Sequence, residues 1–150
     1  MELVFYAYRD FTAEPDAILA EYDFGRAHHR VIYFVGRNPG ITVSELLDIL
    51  QITKQSLSRV LSHLVREGFI LQKPGTQDRR KRLLELTEKG SILEKQLSKN
   101  QRDRIARAYR DAGAEAVEGY RKVILGMINE KDREKFLKRG NFLLSKTRGQ

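Results

Sequence analysis

The sequence predicts a mainly α-helical fold interrupted once by a small β-hairpin. Three observations predict it. Apolar residues recur at spacings of three and four through most of the 150 positions, the period of a helix with one buried side. Thr42, Thr53 and Thr87 each stand directly before such a stripe, where a helix N-cap belongs. A turn cluster, Pro74-Gly75-Thr76-Gln77-Asp78, lies between two short extended runs.

Taken in order, residues 3–20 carry apolar positions and two aromatics, Phe5 and Tyr6, with Pro15 placed to open a helical segment at its first turn. Tyr22-Asp23-Phe24-Gly25 reads as a link. From Arg26 to Arg37, Ala27, Val31, Phe34 and Val35 form a core-facing stripe, and Asn38-Pro39-Gly40 stops it. Thr42 then caps a short helix, with Glu45 as its capping-box partner and Leu46, Leu47 and Leu50 on the buried side. Thr53 caps a second helix from Lys54 to Glu67, with Leu57, Val60, Leu61 and Leu64 inward and Gly68 closing it. Two helices joined by a turn of about three to four residues have helix-turn-helix spacing.

The period then changes. Phe69-Ile70-Leu71 and Lys81 to Leu86 are the two strands of the hairpin. Thr87 and Glu88 open a long helix bearing Ile92, Leu93 and Leu97 on one side and running to about Ala112, where Gly113 breaks it. A further amphipathic helix carries Val117, Tyr120, Ile124, Met127 and Ile128. A last helical segment surrounds Phe136, Leu137, Phe142 and Leu143, and Lys146 to Gln150 is expected to fray.

Composition narrows the function. Apolar residues are 41% of the chain, enough for one core, and charged residues are 32%. No apolar run approaches the about 20 residues that cross a bilayer, and no secretory pattern opens the sequence, so a cytoplasmic location is expected. Cysteine is absent, which excludes disulfides, thiolate metal sites, thiol nucleophiles and thiol redox switches. The net charge of +8 is uneven. Residues 1–50 carry four basic and eight acidic side chains, residues 51–82 eight and two, and residues 83–150 sixteen and ten. A dense basic centre is either a solvated face or a nucleic-acid footprint.

The second helix of the pair favours the footprint. A helix that reads base edges needs polar, short or bidentate side chains at its N-terminal end and no acid. Thr53, Lys54, Gln55, Ser56, Ser58 and Arg59 satisfy this, and no carboxylate occurs from Thr53 to Arg66. Gln55 suits adenine and Arg59 suits guanine or a phosphate. The hairpin adds five basic residues and one acid between Lys73 and Arg82, including Arg79, Arg80 and Arg82. Such a tip suits the negative potential of a minor groove. Asp78, a poor DNA contact, is expected to hold a neighbouring arginine by a charge-assisted hydrogen bond.

The run from Val43 to Gly90 resembles the MarR family of winged-helix transcriptional regulators. The resemblance rests on Leu64-Val65-Arg66-Glu67-Gly68-Phe69-Ile70, the wing Asp78-Arg79-Arg80, and Leu86-Thr87-Glu88-Lys89-Gly90. Upstream, Phe24-Gly25-Arg26-Ala27-His28-His29-Arg30 through Val35-Gly36-Arg37-Asn38-Pro39-Gly40 is similar to the alphaproteobacterial PetP/LdtR-like branch. The resemblance implies a winged helix-turn-helix lobe over residues 26–90, a connecting helix over 87–112, and dimerisation helices over 1–25 and 113–150. It implies a homodimer on a pseudo-palindromic operator in double-stranded DNA, with Arg80 in the minor groove, Asp78 orienting it, and Lys54, Gln55, Ser56, Ser58 and Arg59 facing the major groove. It also implies release by a small aromatic or anionic effector, for which His28, His29, Arg30 and Tyr33 are the candidates.

Neighbouring histidines on a helix point about 100° apart, so His28 and His29 are not expected to share one ligand. Neither has a helical partner at metal-pair spacing, and His63 lies on another element, so no metal and no cofactor are expected. Catalysis is not expected either. The sequence has no glycine-rich phosphate loop, and the acid pair Glu45 and Asp48 reads as ordinary solvation. The competing reading is sequence-independent binding to nucleic acid, as an architectural or RNA-associated protein.

Overall fold

The structure is a computed structural model that describes the backbone of residues 1–147 and the side chains of residues 1–138. The chain forms two compact units, Met1–Arg104 and the residues from Ile105 onward. The first holds α1 (Glu2–Ala20), α2 (Arg26–Arg37), β1 (Ile41–Thr42), α3 (Val43–Leu50), α4 (Lys54–Arg66), β2 (Ile70–Pro74), β3 (Arg82–Leu86) and the greater part of α5 (Glu88–Ala112). The second holds the end of α5 with α6 (Ala114–Met127) and α7 (Glu130–Thr147). Among the described residues no helix is long and apolar enough to cross a membrane.

The sheet corrects the two-stranded expectation. It has three antiparallel strands in the order β1-β3-β2, with Ile41 opposite Leu84 and Ile70 opposite Leu86. A two-residue strand shows no alternation in sequence. It exists because Ile41 is buried and the neighbouring Gly40 N–H donates to the Leu84 carbonyl at 2.9 Å.

One apolar core fills the first unit. Leu19 of α1, Val31, Ile32 and Val35 of α2, Leu46 of α3, and Leu57, Val60, Leu61 and Leu64 of α4 meet Phe69, Ile70 and Leu84 around the sheet, with Leu93 and Leu97 of α5. The stripe of α2 differs by one position from the expected one: Ile32 is inside, whereas Ala27 is exposed and Phe34 half-buried. On α5, Ile92 faces solvent rather than joining Leu93 and Leu97. In the second unit, the side chains of Phe142 and Leu143 lie outside the described residues. So do residues 148–150 of the expected frayed end, while Lys146 and Thr147 belong to α7.

Pro15 does not open a helix. It lies inside α1, which is continuous. Proline removes the N–H that would bond the carbonyl four residues back, normally a cost of about 3 kcal/mol. That carbonyl belongs to Phe11, and Gln101 of α5 donates its side-chain Nε2 to it at 3.1 Å. Tertiary context supplies the missing donor, and the helix persists.

The end of α4 is locked to the start of α5. Gly68, at φ +78, turns the chain out of α4, and the Gly68 and Phe69 N–H groups return to the Val65 and Leu64 carbonyls. Thr87 Oγ1 donates to the Gly68 carbonyl at 2.6 Å and accepts from the Gly90 N–H at 3.0 Å, capping α5. Lys89 Nζ donates to the Glu67 carbonyl at 2.8 Å and lies 4.2 Å from the centre of the Phe69 ring. Gly90 is pressed against the Phe69 carbonyl oxygen, which an added Cβ would overlap. Gly90→Ala is therefore expected to cost about 3 kcal/mol, the range of an overpacked interior. A fall in the urea midpoint, compared at equal protein concentration, checks it; an unchanged midpoint would show that the contact yields freely.

Candidate nucleic-acid interface

Local chemistry positions the helix pair. Thr42 accepts from the Glu45 N–H at 3.2 Å, and the Glu45 carboxylate accepts from the Thr42 N–H at 2.8 Å. This is the capping box expected from the Thr42–Glu45 spacing, and it gives Glu45 a structural task beyond solvation. Gln51 ends α3 in the left-handed region at φ 52 and ψ 41, while its side-chain Nε2 donates to the Asp48 carbonyl. That turn redirects the chain into α4. Thr53 Oγ1 accepts from the Ser56 N–H at 3.1 Å and donates to Ser56 Oγ at 2.9 Å. Thr53 and Ser56 therefore serve the cap as well as the surface.

With Leu57, Val60, Leu61 and Leu64 buried against α2 and β2, the opposite side of α4 is fixed outward. Lys54, Gln55, Ser56, Ser58 and Arg59 are all exposed there. The arrangement offers donors, a bidentate amide and a guanidinium, with no acid among them.

The wing tip is folded by its own backbone. Gly75 N–H donates to the Lys81 carbonyl at 2.8 Å, and Lys81 N–H to the Asp78 carbonyl at 3.1 Å. Asp78 Oδ1 accepts from the main-chain N–H of Arg80 at 3.0 Å. This corrects the expected role of Asp78: its carboxylate shapes a tight turn through the backbone instead of gripping a guanidinium. Arg79, Arg80 and Arg82 are exposed. Across the strands, Lys73 Nζ pairs with Glu85 Oε2 at 2.6 Å, so part of the basic charge is neutralised along the wing while its tip stays cationic.

Comparison with known proteins agrees with this architecture. The MarR family pattern matches residues 22–81. The HTH-type transcriptional regulator PetP of Rhodobacter capsulatus is 51% identical over 129 residues, spanning 86% of this chain and 78% of that protein. The chain belongs to the MarR family. Among solved structures it is similar to a SlyA-like transcription regulator from Listeria monocytogenes, with a TM-score of 0.67, 20% identity, and coverage of 94% of this chain and 93% of the other. It is also similar to a mutant of MarR from E. coli complexed with operator DNA, with a TM-score of 0.64, 20% identity, and coverage of 85% and 92%. The chain is thus a MarR family regulator with a winged helix-turn-helix fold.

Within this MarR fold, the four effector candidates on α2 take separate surroundings. His28 stacks on Phe24 at 4.7 Å and turns toward α4, where its Nε2 lies 3.1 Å from His63 Nδ1. His29 is half-buried, in the field of the Asp16 and Glu94 carboxylates. Arg30 reaches the Tyr8 hydroxyl at 3.4 Å, and Tyr33 packs edge-on to Phe34 beneath Arg37. A concavity of about 300 Å3 lies elsewhere in the unit, between Tyr22, Phe69 and the first turns of α5, and includes none of the four.

His63 escaped the sequence reading as a partner of His28, because a separation of 35 residues carries no periodic signal. The fold brings the two rings together although they stand on separate elements. They remain a pair: among the described residues no group of three His, Cys, Asp or Glu side chains is placed to hold a metal.

Burial lowers the pKa of both α2 histidines, with His63 adding to the effect at His28. The unfolded chain, with its histidines near 6.5, therefore binds more protons than the folded one. Stability is full above about pH 6.5 and declines as pH falls through that value toward the folded pKa. Thermal melts between about pH 7.5 and pH 5.5 are expected to show this decline. The double variant H28Q/H29Q is expected to flatten it, and an equal decline in the variant would assign the effect to other groups.

Proposed function

We propose that the protein is a homodimeric, sequence-specific DNA-binding regulator of a pseudo-palindromic operator, with α4 in the major groove and the wing in the adjacent minor groove. The observation that carries the reading is the exposed, acid-free row Lys54, Gln55, Ser56, Ser58 and Arg59, held outward by the buried side of α4 and followed by the cationic tip at Arg79 and Arg80. Such a row combines groups that bind phosphate with groups that discriminate base edges. Phosphate affinity alone would need no Gln55.

The dimer is supported by apolar side chains that each unit leaves in solvent. Leu3, Val4, Phe5, Tyr6 and Tyr8 are exposed on α1, as are Tyr120, Val123 and Met127 on α6 and Phe136 and Leu137 on α7. Large exposed apolar surfaces mark interaction sites. In this reading residues 1–25 and 113–150 form the dimerisation region, 26–90 the DNA-binding lobe and 87–112 the connecting helix. A small aromatic or anionic effector that releases DNA would meet α2, where Arg30 offers charge and Tyr33 a ring.

Selection of bound duplexes from a randomised library at near-physiological salt tests the reading. The expected result is a two-fold symmetric motif with half-sites about one helical turn apart. A flat profile with salt-sensitive binding would replace it by sequence-independent nucleic-acid binding.

Single substitutions divide the roles. Arg80→Ala is expected to weaken binding to every duplex and to make its salt dependence shallower. Gln55→Ala or Arg59→Ala is expected in addition to relax base preference at one position, by about 1–3 kcal/mol. Titrations against salt on the selected duplex and its single-base variants measure both effects. An Arg80→Ala protein with unaltered affinity and slope would remove the wing from the interface.

A further inference from the structure

One hydrogen bond joins the start of α2 to α4 and a second caps α2, and together they fix the number of protons on a histidine pair. The Gly25 N–H donates to His28 Nδ1 at 3.0 Å, the backward capping bond at the N-terminus of α2. This requires Nδ1 to be bare. On the other side of the ring, His28 Nε2 and His63 Nδ1 lie 3.1 Å apart, which requires one proton between them. His28 Nε2 therefore donates, His63 Nδ1 accepts, and the proton of His63 sits on Nε2. The two contacts accommodate two ring protons, the number carried by a neutral pair.

A third proton has no place. On His63 Nδ1 it would set N–H against N–H across the bridge to α4. Moving the His28 proton to Nδ1 would relieve that conflict and create the same conflict with the Gly25 N–H. Protonation thus breaks either the bridge or the cap. Both half-buried rings lie against Phe24, which stacks on His28 at 4.7 Å and stands edge-on to His63 at 5.0 Å. Burial and the neighbouring His63 favour a neutral His28, while the Asp23 carboxylate, in the link before α2, pulls the other way.

We propose that the His28–His63 bridge is a proton-sensitive strut that holds α4 in its DNA-reading position and releases it on acidification. This rests on the proposed DNA-binding role of α4. His63 lies one turn beyond Arg59 on α4, so a change at the bridge acts on the helix that carries the base-reading row. The direction is distinctive. Added positive charge near DNA by itself strengthens phosphate binding, whereas loss of the strut weakens selective binding.

The test is fluorescence anisotropy with the full chain at constant salt, from about pH 7.5 to about pH 5.5. One labelled duplex carries the selected motif and the other is a random-sequence duplex of the same length. Affinity for the motif is expected to fall below about pH 6.5, by at most about tenfold per pH unit for one linked proton, while the random duplex is bound no more weakly. His28→Gln replaces the ring with a non-titrating residue suited to the capping box; it is expected to flatten the profile, and His29→Gln to leave the decline in place. Should H28Q fail to fold by circular dichroism, His63→Gln carries the same comparison from the α4 side.

Nitrogen-15 spectra of the imidazole rings in the free protein are expected to show the proton of His28 on Nε2 and a bare Nδ1 on both rings. Motif affinity that holds or rises on acidification, a His28→Gln profile that falls like the parent, or the opposite tautomers would each overturn the proposal. A chain that discriminates between the duplexes at neutral pH and fails here loses only the strut. A chain with no discrimination at neutral pH loses the DNA-reading proposal, and this one with it.

Discussion

The junction between the end of α4 and the start of α5 is the constraint on which the rest of the first unit depends. Three carbonyl oxygens, those of Glu67, Gly68 and Phe69, leave α4 without further helix to bond them. All three are engaged from the Thr87-Glu88-Lys89-Gly90 turn: Lys89 takes the first, the Thr87 hydroxyl the second, and the Thr87 N–H the third at 3.1 Å. Of the three, the Phe69 carbonyl belongs to a buried residue and left unpaired would cost free energy, so the wing that separates these segments begins and ends at one place. β2 and β3 are therefore held at their open end before any contact between the strands is counted. The register Ile70 to Leu86 is set by this closure, and β1 can add to β3 only because β3 is already in position.

The same junction gives a physical content to the Leu-Thr-Glu-Lys-Gly pattern. Each position meets a different demand: a core contact at Leu86, a cap and donor at Thr87, a long cation at Lys89 and a missing side chain at Gly90. Residues with unrelated properties are kept in one short order because they serve one surface. This is also why the pattern was legible in the sequence, since its spacing is local. The helices, their caps and the helix-turn-helix were legible for the same reason. Thr42, Thr53 and Thr87 act on residues three positions away, and the stripe of α4 falls on Leu57, Val60, Leu61 and Leu64 as its period requires.

The features that escaped the sequence are those that only the assembled fold supplies. β1 is too short to alternate. Ile32 replaces Ala27 in the core because neighbouring elements, rather than the helix period, decide how wide the buried stripe of α2 is. Asp78 was expected to answer a charge and instead answers a backbone N–H, since a tight turn places Arg80's main chain closer than its guanidinium. His63 and His28 meet across 35 residues. The candidate interface was legible at the level of residue types, because an acid-free row on one helix is a local property. The surroundings of the α2 side chains were not, because they are set by α1, α4 and α5.

At Pro15 a local rule is broken in a packed place, and the break acquires a use. The carbonyl that proline leaves open on Phe11 does not point to the next turn of its own helix for satisfaction but sideways, to Gln101. Neighbouring carbonyls in the interior of α1 are occupied by α1 itself, so a glutamine on α5 that slid along it by one turn would find no vacant acceptor. The defect therefore works as a registration mark. It fixes the axial position of α1 against α5 in a way that apolar packing, which tolerates sliding between similar side chains, does not.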